Sequence, residues 1–213
     1  MFINIVTPCS RPKNIQTIFE SICIPLDNYH WYVVFDLDYI PKELPVHPNI
    51  TYIQYRDDRS KAGNSQRNIA LEIITDDYVY FLDDDTIMHP ELWDRVNSFT
   101  SDIIIFNQCF KNETLRLYGG FIEPGAVDTG NLIVHRNTIG SVRWDINNYN
   151  GDGFFFKEVA KNTKKKKYIP IILSYYNKLK LELYFQFIPY SLYIGGQFHH
   201  IRNIYPIMGI YII

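Results

Sequence analysis

Apolar residues along this chain occur in two kinds of run: short continuous stretches, and stretches with helical spacing. The continuous stretches predict strands at Phe2 to Val6, His30 to Phe35, Ile50 to Tyr55 and Tyr78 to Leu82. The helically spaced stretches predict helices after Ser10 and from Asn64 to Ile74. Short apolar strands that alternate with helices are typical of a sheet covered by helices. The first part of the chain therefore predicts the α/β class.

The alternation becomes less regular toward the C-terminus. The predicted elements there are a helix at Pro90 to Phe99, strands at Asp102 to Phe110 and Asn131 to His135, a helix at Asp152 to Lys161 and a strand at Tyr168 to Tyr176. Glycines and prolines between Tyr118 and Gly130 indicate loops. The aromatic C-terminal segment has no clear period, and the sequence assigns it no element. A length of 213 residues fits one continuous domain.

Composition narrows the classes of function. The net charge of -2 provides no general excess of Lys and Arg, which argues against nucleic acid as the main partner. Cys9, Cys23 and Cys109 lack the spacing of metal ligands, and their odd number fits a reducing compartment. The N-terminus has no signal-peptide pattern, and no apolar run is long enough to span a membrane. We therefore expect a cytoplasmic protein without a transmembrane segment.

Three consecutive aspartates, Asp83, Asp84 and Asp85, directly follow an apolar strand. Adjacent carboxylates repel one another unless a cation or strong hydrogen-bond donors compensate them. Hard oxygen ligands of this kind suit Mg²⁺ or Mn²⁺, and ligands of open α/β sheets bind at the carboxyl ends of the strands. The alternative is a solvated acidic turn in which an aspartate caps a helix. The apolar strand that leads directly into the triplet favours the metal site.

Four segments, taken in order, resemble a known family. VTPCSRPKN, VVFDLD, KAGNSQRNIAL and YVYFLDDDT resemble the nucleotide-binding half of GT-A glycosyltransferases, particularly their family 2-like group. The resemblance is good over roughly residues 1–100 and continues more loosely through GNLIVHRN and WDINNYNGDGFFF. It implies a single GT-A, Rossmann-like domain with a mixed central sheet flanked by helices. Residues 1–110 would form the donor-binding half and residues 111–213 the acceptor-side half with an irregular C-terminal segment.

The resemblance also implies which residues lie near the nucleotide of the donor. They are Thr7, Pro8, Arg11, Asp36, Gly63, Arg67, Asn68, Asp83 and Asp84. Asp36 is expected to contact the base or ribose, with Asp38 as the less favoured alternative. Gly63 would allow a close approach of the backbone. For Arg67 the alternative is a surface position on an amphipathic helix, and for Asp36 it is an ordinary turn at a strand end.

A metal-ligand set is implied as well. Asp85 would be the leading ligand, joined by Asp83 and by His199, because some GT-A enzymes complete the metal shell with a C-terminal histidine. The family usually shows Asp-x-Asp, so three aspartates in a row leave their division of labour open. The alternative for His199 and His200 is a solvated pair.

The family places a catalytic carboxylate at the start of a late helix, and Asp152 in YNGDGFFF has that setting. An inverting transfer needs such a base to remove the proton of the acceptor hydroxyl. The alternative for Asp152 is a helix N-cap, and the fallback bases are Asp145 and Asp128. The family often has Glu-Asp where this chain has Gly-Asp, which leaves the base and the inverting stereochemistry open.

Aromatic residues and a lysine run raise two further alternatives. Trp144, Phe121 and Tyr149 would form an acceptor platform or belong to the core. Lys164 to Lys167 is expected to be a solvated loop, the alternative being attraction to anionic lipid in a peripheral membrane contact.

The function expected from these features is metal-dependent transfer of a hexosyl unit, from a nucleotide-diphosphate sugar to a hydroxyl of a saccharide or glycoconjugate. A UDP-sugar is the favoured donor, with Mn²⁺ or Mg²⁺ as cofactor. A sugar nucleotidyltransferase is the second possibility, but PCSRPKN lacks the glycine-rich loop that would wrap a triphosphate. A non-catalytic glycan- or nucleotide-binding module is the third. It would be expected to lose the metal carboxylates, and all three are present.

Overall fold

The computed structural model describes residues 1–180, 192–194 and 197–199. The strands are β1 Ile3–Cys9, β2 Tyr29–Phe35, β3 Ile50–Gln54, β4 Tyr78–Phe81, β5 Ile87–Met88, β6 Ile103–Cys109, β7 Leu115–Leu117, β8 Leu132–His135 and β9 Lys166–Tyr175. The helices are α1 Ile15–Ser21, α2 Asn64–Ile73, α3 Leu92–Val96, α4 Arg136–Ile139 and α5 Gly151–Lys161. All of these elements lie in one compact unit, Met1–Lys180.

A second unit comprises Leu181–Ile213. Its described residues form an antiparallel pair of strands, β10 Leu192–Ile194 and β11 Gln197–His199. Among the described residues of both units, no helix has the length and apolar character needed to cross a membrane.

The strands of the first unit form one mixed sheet of nine strands. Their order is β3-β2-β1-β4-β8-β6-β9-β5, and β7 pairs with β6. The pairs β3-β2, β2-β1, β1-β4 and β6-β9 are parallel, whereas β8 runs antiparallel to both β4 and β6. The predicted α/β class with a mixed central sheet is confirmed.

The sheet order reverses direction at β1. The chain proceeds from β1 to β2 and β3 on one side and then crosses to β4 on the other. In open α/β sheets, a crevice forms outside the carboxyl ends of the strands at such a switch point. The loop after β1 and the aspartates after β4 both lie at this crevice.

Apolar side chains cover both faces of the sheet. Ile3 and Ile5 of β1 belong to the cluster beneath α1, whereas Val6 belongs to the cluster beneath α2 and α5. Complete burial of each large aliphatic side chain contributes about 1.5–3 kcal/mol to stability. The strand is fixed from both faces, so the loop that follows it starts from a rigid position.

Several element boundaries differ from the predictions, and two of the differences have a clear structural basis. β1 continues through Pro8 to Cys9 instead of ending at Val6, and it does so where its partner β4 has already ended, opposite Val6. Proline has no N–H to donate, and it is tolerated here because the strand has no hydrogen-bonding partner on one side at this position. The lysine run was expected to be a loop, but Lys166 and Lys167 begin β9, and all four lysines are exposed.

Candidate active site

A cavity of about 470 Å³ opens at the carboxyl ends of β1 and β4. The predicted site residues that line it are Pro8, Arg11, Asp36, Gly63, Arg67, Asp83, Asp84, Asp85 and Asp152. The side chains of Thr7 and Asn68 have other partners: Thr7 accepts a hydrogen bond from Trp31 Nε1 at 2.8 Å, and Asn68 bonds to the backbone of Trp144. His199 lies in β11 of the second unit, and His200 lies outside the described residues.

Asp84 fastens the loop after β1. Its Oδ2 accepts hydrogen bonds from the backbone N–H groups of Ser10 and Arg11, both at 2.7 Å, and from the Ser10 hydroxyl at 3.1 Å. Its backbone oxygen accepts a fourth bond from Asn14 at 2.8 Å. Burial raises the pKa of the carboxyl group, and the Arg11 charge opposes that rise. With one oxygen holding three donors, Asp84 acts mainly as an anchor for the loop.

Asp85 is buried between Arg11 and Asn177. Arg11 Nη1 donates to its Oδ2, and the Asn177 amide, oriented to donate, lies 3.1 and 3.2 Å from its two oxygens. Burial raises the pKa of this carboxyl group too, and the Arg11 charge lowers it. Because the Arg11 side chain is 39% exposed, its guanidinium is the accessible member of the pair.

Asp83 is bound by residues from two other parts of the chain. Its Oδ1 lies 2.5 Å from Arg67 Nη2, and its Oδ2 accepts a hydrogen bond from the Thr129 hydroxyl at 2.9 Å. Arg67 is buried, with only 4% of its side chain exposed, and it also donates to the backbone oxygen of Ala62 at 2.6 Å. The surface position considered for Arg67 is therefore wrong.

Two guanidinium groups thus face three carboxylates at this end of the sheet. Arg11 pairs with Asp84 and Asp85, and Arg67 pairs with Asp83. One negative charge of the triplet has no arginine partner of its own. Across the described part of the chain, no three His, Cys, Asp or Glu side chains are grouped as a metal centre.

Asp36 and Gly63 border the cavity on the side of β2 and α2. Asp36 accepts a hydrogen bond from Gln66 at 3.0 Å, whereas Asp38 pairs with Arg56 at 2.6 Å, outside the cavity lining. Gly63 has a φ of 75°, and a methyl group there would lie 2.5 Å from Cβ of Pro8. Glycine is therefore required both by the backbone conformation and by the close contact with Pro8 of β1.

We expect Gly63→Ala to lower the free energy of unfolding by about 2–4 kcal/mol, from left-handed strain and overpacking together. Urea denaturation measures the change. The matched control is Gly120→Ala, where an added methyl meets no atom within 4 Å, and a shift below about 0.5 kcal/mol is expected there. Equal effects of the two substitutions would contradict the tight contact.

Asp152 lines the same cavity as the aspartate triplet. It occupies the first turn of α5, whose N-cap is Asn150, so Asp152 is not the N-cap. The Asp152 carboxylate accepts the backbone N–H of Gly153 at 2.8 Å and has no ion pair among residues 1–180. Burial is the largest cause of its raised pKa, and the negative charges of Asp128 and Asp83 raise it further.

The two fallback bases are less suited to proton transfer. Asp128 is buried, pairs with Arg116 at 3.1 Å and caps the turn of residues 129–131. Asp145 is exposed, does not line the cavity, and accepts the backbone N–H of Asn147 at 3.0 Å. Among residues 1–180, Asp152 has no ion pair, unlike Asp128, and it lines the cavity, unlike Asp145.

The three aromatic candidates have different surroundings. Trp144 is 2% exposed and stacks on Phe155 with ring centroids 4.2 Å apart, so it belongs to the core. Phe121 borders a separate groove beside Lys157 and Tyr168. Tyr149 is 76% exposed and lines the cavity with Asp152. Trp144 and Tyr149 both line the cavity, and Tyr149 is by far the more exposed of the two.

Several cavity residues were not recognised from the sequence. They are Asn64, Arg116, Thr129, Tyr176, Asn177 and Lys180. The Arg116 guanidinium lies 3.6 Å above the Tyr176 ring and also bonds to Gln108 at 2.5 Å. Most of these residues lie in segments where the resemblance is weak or ends. The positions of Arg116, Tyr176 and Asn177 depend on the pairing of β6 with β7 and β9.

The fold is shared with solved glycosyltransferases. Staphylococcus aureus TarS 1-349 superposes with a TM-score of 0.65 at 15% identity, over 82% of this chain and 60% of that chain. The same protein in complex with UDP-GlcNAc superposes with a TM-score of 0.66 at 14% identity, over 82% of this chain and 58% of that chain. The mannosyltransferase PcManGT from Pyrobaculum calidifontis, in complex with GDP-Man and Mn²⁺, superposes with a TM-score of 0.62 at 14% identity, over 81% of this chain and 56% of that chain.

No family model matches the sequence, and neither does any curated protein. The chain spans 60% or less of the length of the three structures just described. At these identities the likeness establishes the fold, which is that of GT-A-type glycosyltransferases, as the resemblance implied.

Proposed function

We propose that this protein transfers a sugar from a nucleotide-diphosphate sugar to a hydroxyl group of a saccharide or glycoconjugate. The observation that carries the proposal is one cavity lined by two arginines, the three aspartates and Asp152, a carboxylate without an ion pair among residues 1–180. It lies at the switch point of a GT-A-type sheet, where nucleotides bind in α/β proteins. The similar structures that contain UDP-GlcNAc and GDP-Man support a nucleotide-sugar donor.

The two arginines differ in what they can do for the donor. Arg67 is enclosed by Asp83 and the backbone of Ala62, so it stabilises the site itself. Arg11 is half-exposed and can turn its guanidinium toward the diphosphate, since its donors match phosphate oxygens. Asp36, at the end of β2, is in position to accept hydrogen bonds from the base or ribose. A UDP-sugar is the donor we favour.

The triplet fits a divalent cation in its chemistry. Its ligands are hard oxygens, and one of its three charges has no arginine partner of its own. Asp85 would be the leading ligand, with Asp83 beside it, once Arg11 turns away from Asp85. Mn²⁺ or Mg²⁺ bound there would neutralise negative charge on the departing diphosphate. His199 remains a predicted additional ligand.

Asp152 is the proposed general base. Its carboxylate would take the proton of the acceptor hydroxyl while that oxygen attacks the anomeric carbon, which gives inversion. Burial raises its pKa toward the range in which a carboxylate accepts a proton effectively near neutral pH. Tyr149, exposed on the same wall, would contact the acceptor sugar.

Calorimetric titration tests the donor site directly. UDP, GDP, UDP-glucose, UDP-N-acetylglucosamine and GDP-mannose are titrated with and without Mn²⁺. We expect metal-dependent binding of one nucleotide series. Asp85→Asn should weaken that binding at least 10-fold, because it removes a charged ligand, while the exposed Asp94→Asn should not change it. Absence of binding to every nucleotide would reject the transferase and favour a non-catalytic module.

A further inference from the structure

The loop of residues 144–150, which leads into Asp152, is fastened by side chains of α2. The Asn68 amide pairs with the backbone of Trp144 at two points: its Nδ2 donates to the Trp144 oxygen and its Oδ1 accepts the Trp144 N–H, both at 2.9 Å. One turn earlier, Asn64 Nδ2 donates to the backbone oxygens of Asp145 and Asn148, each at 2.8 Å. α2 therefore binds both the start and the middle of the loop.

Trp144 connects this fastening to α5. Its ring stacks on Phe155 at 4.2 Å and 11°, and Phe155 is one helical turn beyond Asp152. At the start of α5, a methyl group on Gly151 would lie 2.9 Å from Nδ2 of Asn64, so the helix begins in direct contact with α2. A shift of the Trp144 backbone would be passed to the first turn of α5 through these contacts.

The Asn68 side chain is not placed to bind a nucleotide in the cavity. It does not line the cavity, and both polar atoms of its amide are used by Trp144. Arg67, the preceding residue, lines the cavity instead: its guanidinium lies 2.5 Å from Asp83 and 4.7 Å from the Trp144 ring centroid. Neighbouring residues of α2 therefore bind the aspartate triplet and the loop before Asp152.

We propose that Asn68 is a positioning residue for Asp152, which it places relative to the aspartate triplet by fixing the backbone of Trp144. The proposal rests on the proposed function, in which Asp152 is the base. Displacement of a catalytic group by about 1 Å can cost on the order of 100-fold in rate, even when the altered residue is remote from the chemistry. Loss of the Asn68 amide should therefore reduce turnover without weakening donor binding.

The test compares Asn68→Ala, Asp152→Asn and the double variant in the full chain. Turnover is followed as release of nucleoside diphosphate from the nucleotide sugar that binds in the calorimetric panel, with methyl glycosides of glucose, N-acetylglucosamine and mannose as acceptors. We expect Asn68→Ala to lower kcat about 10- to 100-fold, with the Kd of the nucleoside diphosphate unchanged within about twofold. In the Asp152→Asn background, Asn68→Ala should cause no further loss, because Asn68 acts through Asp152.

Two further variants guard against a general structural effect. Asn68→Ser keeps a hydroxyl that can bond to one backbone group of Trp144, so its kcat should lie between those of the unaltered protein and Asn68→Ala. Asn137→Ala replaces an exposed asparagine of α4 and should leave kcat and Kd unchanged.

Three results would overturn the positioning role. The first is near-normal turnover of Asn68→Ala, and the second is weaker nucleotide binding by Asn68→Ala with an unchanged kcat. The third is a loss of kcat on adding Asn68→Ala to Asp152→Asn that is as large as the loss it causes in the unaltered protein. Failure of the proposed function looks different. Asp152→Asn would then retain turnover, or the unaltered protein would bind no nucleotide, and either result would reject the positioning role together with its premise.

Discussion

Asp152→Asn is expected to lower kcat about 100- to 10,000-fold while the Kd of the nucleoside diphosphate stays within about twofold. Asparagine preserves the shape of the side chain but cannot accept the proton of the acceptor hydroxyl. The residue lines the cavity and has no ion pair among residues 1–180, so its replacement breaks none there. Steady-state turnover and calorimetry on the same preparations measure the two quantities.

The pH dependence of the unaltered protein, compared with that of Asp152→Asn, provides a second measurement. Burial raises the pKa of Asp152. As the pH is lowered, its base form should therefore be lost, and kcat/KM should fall, at a higher pH than for an ordinary aspartate.

The raised pKa of Asp152 also has a consequence for stability. The stabilising contribution of this carboxyl is fully present below the pKa of the unfolded chain and is lost as the pH rises through the folded-state pKa. Asp152→Asn should therefore raise Tm at pH 7 but not at acid pH.

The matched control for both effects is Asp145→Asn. Asp145 is exposed, lies in the loop of residues 144–150 before α5, and does not line the cavity. It should change neither kcat nor the pH dependence of Tm. If Asp145→Asn lowered turnover as much as Asp152→Asn, the base would be misassigned.

Arg67→Met should lower the free energy of unfolding by about 3 kcal/mol, because it leaves Asp83 beside two other carboxylates without its buried partner. The methionine would also lose the hydrogen bond to Ala62 and the contact with the Trp144 ring. For a domain of this size the change corresponds to a fall in Tm of roughly 6–12 °C. Urea denaturation and thermal melting measure it.

A control variant and a second substitution that restores stability are available at other positions of the chain. Arg95→Met removes an exposed partner of Glu91 on α3 and should cost less than about 0.5 kcal/mol. Asp83→Asn in the Arg67→Met background should recover part of the lost stability, because it removes the unpaired charge. If Arg67→Met were as mild as Arg95→Met, the buried ion pair would contribute little.

The position of the site followed from local sequence patterns. Tyr78 to Leu82 is continuously apolar and ends in aspartates, Pro8 lies near the end of β1, and Asp36 directly follows β2. Carboxyl ends of neighbouring parallel strands meet at one edge of a sheet, so the residues that follow these strands come together. This is why the predicted donor-side residues largely line one cavity.

The division of roles within the triplet could not be read from the sequence. Three identical residues in a row give no indication of which carboxylate faces which partner. Asp84 holds the loop after β1 because Ser10 and Arg11 direct their N–H groups at it, whereas Asp83 is paired by Arg67 of α2. The same holds for Asn68: its place in a segment typical of nucleotide contacts does not reveal that it binds Trp144.

The C-terminal part of the cavity lining depends on long-range pairing. Arg116, Thr129 and Asn177 join the cavity because β8 inserts antiparallel between β4 and β6, and β9 returns parallel to β6. No local pattern encodes such pairings, since they are stabilised by contacts between residues far apart in sequence. Apolar periodicity and strand ends are local properties, so the residues alone predict the α/β class, the switch-point site and its acidic character. The pairing of the charges and the hydrogen bonds that hold the loop before Asp152 are visible only in the folded chain, because they depend on directions and distances in space.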